Sequence, residues 1–168
     1  MAKKAYVYTG TDWVPLSSDL PDPGNFVAKN NGEANYPVIK SPKETVTISA
    51  TAATGTVNID LLTSSVHYYT DDATANWTFN LRGSSATTLN SILDIGASIS
   101  CVFLVTNGAS AYYPNEYLVD GGPATVYFQG GSWPSSGNAL SVDAYTFTVL
   151  KTADATFTVL GAQTQFAN

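Results

Sequence analysis

The chain has 168 residues and a formal net charge of −6, and it contains ten Tyr, seven Phe and three Trp but one His and one Cys. Enzymes usually gather several ionisable side chains in a cleft, where burial and neighbouring charges tune their pKa values. This composition therefore argues against catalysis and predicts no cofactor, while the single cysteine excludes an internal disulfide.

Charge is distributed unevenly along the chain. Up to Lys43, five lysines oppose four acids for a net charge of +1, whereas from Glu44 onwards Arg82 and Lys151 oppose nine acids for a net charge of −7. Phosphates and anionic lipids repel an acidic domain, so neither nucleic acid nor a membrane is expected as a partner. No apolar run approaches a membrane span of about 18 residues, and the N-terminus lacks the apolar run of a signal peptide.

Residues 1–44 are predicted to form an extended N-terminal arm. Tyr6 and Tyr8 alternate with other side chains as in a short strand, and Trp13 begins a segment that suits a hairpin partner. The five prolines of this region exclude a long helix or a central strand. Since such an arm cannot bury Tyr6, Tyr8 and Trp13 by itself, we predict that these rings form an attachment interface on a partner chain.

Residues 45–168 are predicted to form one β-sandwich domain. Polar and apolar residues alternate in runs at residues 45–49, 56–60, 65–69 and 76–81. Between residues 87 and 93 the apolar positions follow helical spacing, which predicts one or two turns that end at Gly96. Residues 98–106 form a nearly continuous apolar run, which is typical of a central strand covered on both faces.

A repeated pentapeptide marks the last third of the chain. Residues 146–150 and 156–160 both have the sequence TFTVL, and five polar or small residues separate them. This pattern predicts an antiparallel hairpin, since the ten-residue offset is too short for a solenoid repeat. With about eight short strands and one short helix, the chain is predicted to be all-β, an antiparallel β-sandwich of jelly-roll type with an extended N-terminal arm.

Few side chains suit catalysis or metal binding. His67, the sole imidazole, lies in a predicted strand and is expected to be a surface or interface histidine rather than a catalytic base. Asp71 and Asp72 could hold calcium, but adjacent carboxylates in a turn more often bond to their own backbone, so no metal site is predicted. Cys101 lies in an apolar strand and is predicted to be a buried, inert thiol.

Five aromatic residues of the domain are candidates for an interaction surface. They are Tyr68, Tyr69, Tyr112, Tyr113 and Trp133. One small sandwich does not readily hide so many rings, and aromatic residues are enriched where proteins meet, so we predict a self-association or receptor surface and a homotrimer. Trp133 lies in a loop of small residues, where it could stack on a sugar ring, insert into a neighbour or fold back as a loop anchor.

Several stretches of the domain carry a family resemblance. They are TAATGTVN at residues 51–58, VHYYT at 66–70, ANWTFNLR at 75–82, FQGGSWP at 128–134, YTFTVLKT at 145–152 and TQF at 164–166. In these stretches the chain resembles the small virion structural proteins of tailed phages that infect marine cyanobacteria and other marine bacteria. Residues 5–16 also resemble the start of phage fibre and appendage proteins. The resemblance implies a component of the virus particle, assembled in the host cytoplasm, without catalytic activity.

Two functions follow from these expectations. In the first, which we favour, the chain is an appendage or fibre-type module that residues 1–44 anchor to the virion. In the second, it is a capsid decoration or cement protein whose arm staples major capsid subunits. A third alternative, a host-glycan-binding or depolymerase domain, adds a host surface glycan to the expected partners, which are further copies of the chain and other virion proteins.

Overall fold

The chain forms two units, Met1–Pro42 and Lys43–Asn168. The computed structural model describes residues 6–8, 11, 13–15 and 43–166. In the first unit, strand β1 (Tyr6–Tyr8) pairs antiparallel with strand β2 (Trp13–Pro15), which confirms the hairpin expected near the N-terminus. The rest of the predicted arm, and the side chains of both strands, lie outside what the structure describes.

Strands make up about half of the described residues of the second unit and nearly all of its regular secondary structure. In chain order they are β3 (Val46–Ser49), β4 (Gly55–Asp60), β5 (Val66–Tyr69), β6 (Trp77–Arg82), β7 (Ser98–Asn107), β8 (Pro114–Val119), β9 (Gly122–Pro123), β10 (Val126–Phe128), β11 (Ser141–Ala153) and β12 (Thr156–Phe166). A helical turn, α1 (Leu89–Ile92), precedes β7, and a 3₁₀ turn (Gln129–Gly131) follows β10. The predicted all-β class is confirmed.

The strands form two sheets that pack face to face. The larger has six strands in the order β10–β12–β11–β7–β5–β3, and the smaller has four in the order β4–β6–β8–β9. From β3 to β8 the chain crosses to the opposite sheet after every strand, so neighbouring strands of this segment run parallel. These strands therefore make three stacked coils, each with one strand in each sheet.

The wholly antiparallel strand order expected from the spacing of the strands is wrong. Val46 pairs with Val66 and Val66 with Val102, so successive coils are offset by 20 and 36 residues. A variable offset leaves no fixed sequence period by which stacked coils could be recognised. Alternation indicates that a run is a strand, but it does not indicate whether the next strand pairs beside it or crosses to the facing sheet.

Strands β11 and β12 complete the larger sheet as the hairpin that the repeated pentapeptide predicts. β11 pairs antiparallel with both β7 and β12, and Val149 lies opposite Val159. Phe147, Val149 and Val159 are all buried. The hairpin is therefore confirmed, together with the shared inward side of Phe147 and Val149.

The helical turn α1 is confirmed close to its predicted position. A helix of four residues cannot sustain itself, and side chains from distant parts of the chain complete both of its ends. At its start, the Asp120 carboxylate accepts hydrogen bonds from Leu89 N at 2.6 Å and from Asn90 N at 2.9 Å. At its end, Lys151 Nζ donates to Asn90 O at 2.6 Å and to Leu93 O at 2.9 Å.

Aromatic side chains from both sheets fill the core between them. Phe79 of β6 is fully buried, and its ring centroid lies 4.9 Å from that of Phe103 on β7 and 5.2 Å from that of Phe147 on β11. Trp77 and Tyr145 join the same cluster, with 6.0 Å between their centroids. Because these contacts connect the two sheets, the cluster holds the stacked coils against the C-terminal hairpin.

Strand β7 is central, as predicted, but only one of its sides is buried. Cys101, Phe103 and Val105 point inward and are buried, whereas Val102 and Leu104 on the opposite side are half-buried. Burial raises the pKa of the Cys101 thiol to about 12, which agrees with the predicted inert thiol. The expected cover on both sides of β7 is wrong for the described part of the chain, because the smaller sheet packs on one side only.

Candidate functional site

The outward side of the six-stranded sheet forms a continuous surface, termed the outer face. Side chains alternate between the two sides of a strand and paired neighbours share a side, so the register assigns its members. They lie in rows across the strands: Val46, Val66, Val102, Thr146 and Ala162; Ile48, Tyr68, Leu104, Ala144 and Thr164; Ser100, Thr148, Leu160 and Tyr127; Thr106, Val142 and Phe166. None of these residues is charged.

Apolar side chains at the two margins of the outer face are open to solvent. Ile48 on the edge strand β3 is 69% exposed, and Leu160, Tyr127 and Phe166 are exposed at the opposite margin. A sheet side that faces water normally carries polar residues, whereas this one presents Val, Ile, Leu and aromatic side chains among Thr and Ser. Depletion of charge with retention of apolar area is typical of the core of a protein interface.

Most acids of the second unit lie outside the outer face, but Asp72 lines a cavity at its edge together with Thr106, Val142 and Phe166. Asp60 on β4 forms an ion pair with Arg82 on β6, with 2.6 Å between Asp60 Oδ1 and Arg82 Nε. Glu116 on β8 accepts a hydrogen bond from Thr78 Oγ1 at 2.8 Å, also in the smaller sheet. The other acids flank strands or occupy turns, apart from Asp143, which is buried on β11.

Of the five aromatic residues predicted to form an interaction surface, Tyr68 alone is placed on the outer face by the strand register. Its neighbour Tyr69 points inward and packs on Phe103, with 5.1 Å between ring centroids. Tyr112 and Tyr113 lie in the segment before β8, where asparagine side chains accept hydrogen bonds from their backbone N–H groups. Sequence reasoning missed the aliphatic members of the outer face, although their alternation with uncharged Thr and Ser was a usable signal.

Trp133 folds back onto the core, which is one of the three roles considered for it. Its ring meets that of Tyr117 edge-on, with 4.9 Å between centroids, and packs near Phe128 at 6.3 Å. The residue nevertheless remains 48% exposed. The indole is therefore anchored on the core and open to solvent at the same time.

His67 is buried, which corrects its expected surface position. It lies between Thr47 of β3 and Phe103 of β7 on the inward side of the sheet. Its Nε2 lies 3.1 Å from Ser64 O, and burial lowers the pKa of the imidazole below its usual value. Hydropathy assigns the inward side to Val66 and Tyr68, but the strand register places both on the outer face.

Asp143 is fully buried near the end of the larger sheet. Its Oδ2 accepts hydrogen bonds from Asn107 Nδ2 at 3.2 Å and from Asn138 N at 3.0 Å, while its Oδ1 is buried without a partner among the described residues. Burial raises the pKa of this carboxyl, and the hydrogen bonds it accepts oppose that shift only in part. The network ties the loop before β11 to the end of β7.

Replacing Asp143 with asparagine is expected to change the pH dependence of stability. Because the folded state raises the pKa of Asp143, it binds the proton more tightly than the unfolded chain, so stability is lost as the pH rises from about 4 through the raised pKa. The Asp143→Asn variant cannot ionise there, so its stability relative to that of the parent should rise as the pH increases above about 4. Urea unfolding across this range measures the difference.

Asp71→Asn is the control for this measurement, because Asp71 lies in an exposed turn. The Asp71→Asn variant should not show the pH-dependent gain in stability expected for Asp143→Asn. Parallel pH profiles for the parent and Asp143→Asn would contradict the raised pKa.

In comparisons with known proteins, no family model, no curated protein and no solved structure matches this chain. Among the described residues, no three His, Cys, Asp or Glu side chains lie close enough together to hold a metal ion. Within the same part of the chain, no helix is both long and apolar enough to cross a membrane.

Proposed function

We propose that this chain is a non-enzymatic structural protein of a tailed-phage virion, a surface appendage or fibre-type module anchored by its N-terminal arm. The observation that carries the proposal is the uncharged outer face of the six-stranded sheet, because a component of a larger assembly needs such a surface for its neighbours. The sequence resemblance to phage virion proteins supplies the kind of assembly. The side chains of the buried titratable residues His67 and Asp143 form hydrogen bonds within the domain, and we assign them a structural role.

A second copy of the same chain is the neighbour that the outer face fits best. Two acidic domains repel each other wherever their charged surfaces meet. The outer face lets copies approach without placing like charges opposite each other, and contact there would bury Ile48 and the exposed residues beside it. We therefore propose a homotrimer in which the outer faces turn towards a common axis.

Attachment to other virion proteins is assigned to residues 1–44. Tyr8 and Trp13 lie opposite each other in the β1–β2 hairpin, and Tyr6 on β1 supplies a third aromatic ring. Burial of three aromatic side chains against a partner would contribute several kcal/mol, at roughly 25 cal/mol for each Å² of apolar surface removed from water.

A capsid decoration or cement protein is the alternative. The observation that favours it is the short stack of three coils closed by a hairpin, without an extended shaft in the described residues. In that function the arm would contact major capsid subunits and the second unit would cover their junctions.

Deleting residues 2–40 is expected to leave a folded second unit that no longer joins the particle. The second unit contains its own core, so its circular dichroism and thermal unfolding should match those of the same unit in the full chain. Immunoblots of purified particles should detect the full chain and miss the truncated one. A chain with residues 2–40 in scrambled order controls for the length of the arm and should also be missing.

Electron cryomicroscopy of the intact particle distinguishes an appendage from a capsid surface protein. Normal incorporation of the truncated chain into the particle would show that the arm does not attach the protein. Absence of the full chain from the particle would refute the virion proposal, and reproducible cleavage of capsular polysaccharide or lipopolysaccharide would refute its non-enzymatic part.

A further inference from the structure

A polar cleft beside the end of β12 has no part in the proposed assembly. It has a volume of about 320 Å³, which is at the lower end of the range for small-molecule sites. Trp133 and Ser136 line it from the loop, and Gln163 and Gln165 line it from β12. None of its lining residues is charged, and most of them carry hydroxyl or amide groups.

Trp133 lies at the edge of this cleft, and part of its indole is open to solvent. Tyr117 holds the indole from the side of the core, yet about half of the residue remains open. The C–H face of a pyranose ring is apolar and slightly positive, so it stacks favourably on the negative face of an indole. Because Trp133 is already held in place, little conformational freedom is lost when a ligand stacks on it.

The two glutamines are oriented by the loop across the cleft. Gln163 Nε2 donates to Ser136 O at 2.9 Å and to Tyr145 Oη at 3.0 Å. Gln165 Nε2 donates to the same Ser136 O at 3.3 Å. These bonds engage the amide nitrogens and leave the amide oxygens to accept hydrogen bonds from ligand hydroxyls.

We propose that this cleft binds a neutral carbohydrate, with Trp133 stacked on one sugar ring and Gln163 and Gln165 accepting hydrogen bonds from its hydroxyls. A charged sugar is disfavoured, because its carboxylate or sulfate would find no cation in the lining and residues 44–168 carry a net charge of −7. A nucleotide base could also stack on the indole, but the same charge repels its phosphates. This site goes beyond the virion role and would act in the free protein as well.

Titration of the full chain with neutral oligosaccharides tests the site. The probes are cello-, malto-, laminari-, manno- and N-acetylchito-oligosaccharides, compared with sialylated and uronate-containing ones, and binding is followed by saturation-transfer NMR and calorimetry. At least one neutral series should bind, and the acidic series should not. Failure of every neutral series, or preference for an acidic one, would overturn the proposal.

Two variants then test whether binding occurs at the cleft. Trp133→Ala should weaken the affinity about tenfold or more, and Gln165→Ala should weaken it about threefold. Leu62→Ala removes an exposed apolar side chain outside both the cleft and the outer face, and it should leave the affinity unchanged. Gln165 is exposed, so Gln165→Ala remains informative if Trp133→Ala does not fold. Binding that both variants leave intact would lie elsewhere and contradict the proposal.

Discussion

Replacing Phe79 with alanine is expected to lower the free energy of unfolding of the second unit by about 4 kcal/mol. The Phe79 ring centroid lies 4.9 Å from that of Phe103, 5.2 Å from that of Phe147 and 6.0 Å from that of Tyr117. Removing the ring leaves a cavity between the sheets, and the neighbouring rings cannot fill it because each is held by its own strand. Domains are stable by about 5–15 kcal/mol, so this loss is a large fraction of the total.

Urea unfolding followed by tryptophan fluorescence measures the loss, because Trp77 lies in the same cluster, 6.0 Å from Phe79 between ring centroids. Phe79→Leu keeps part of the apolar volume and should cost about half as much. Leu62→Ala removes an exposed side chain in the turn after β4 and should change the stability by less than about 0.5 kcal/mol. A Phe79→Ala variant as stable as the parent would show that the sheets do not depend on this ring.

Placing glutamate at position 48 is expected to break the proposed self-association. Ile48 is largely exposed on the outer face, so the isolated chain tolerates the substitution. In the assembly, however, each copy would bury a carboxylate without a partner. Because burial of an unpaired charge costs several kcal/mol, the association should weaken about a hundredfold or more.

Sedimentation velocity at micromolar concentration reads out this effect as a shift from oligomer to monomer. Leu62→Glu adds the same charge at an exposed leucine in the turn after β4 and should leave the oligomer intact. A monomeric parent, or equal behaviour of the Ile48→Glu and Leu62→Glu variants, would argue against contact through the outer face.

Elements that depend on nearby residues could be predicted from the sequence. Residues 146–150 and 156–160 are close along the chain, so a short turn is enough to pair them, and they lie in β11 and β12 as expected. The turn α1 was predictable from apolar spacing and the glycine that follows. Its stabilising partners Asp120 and Lys151 were not predictable, because they bond to it across 31 and 61 residues of chain.

The candidate sites were predictable only in part. Trp133 could be identified from the sequence as a candidate binding residue, because it is a large aromatic residue in a loop of small residues. Gln163 and Gln165 could not, because the register of β12 brings them to the cleft. The residues of the outer face lie on six different strands. From hydropathy alone, Val66 and Tyr68 of this face would be assigned to the core.

The sequence by itself determined the all-β class, the C-terminal hairpin and the burial of Cys101, because each depends on alternation or composition within a short stretch. The tertiary structure decided which strands are neighbours, and with them the parallel coils, the inward position of His67 and the uncharged outer face. The physical reason is that the residues of a strand define two sides but not a partner. Which side is buried, and beside which strand, follows from the packing of the two sheets around Phe79.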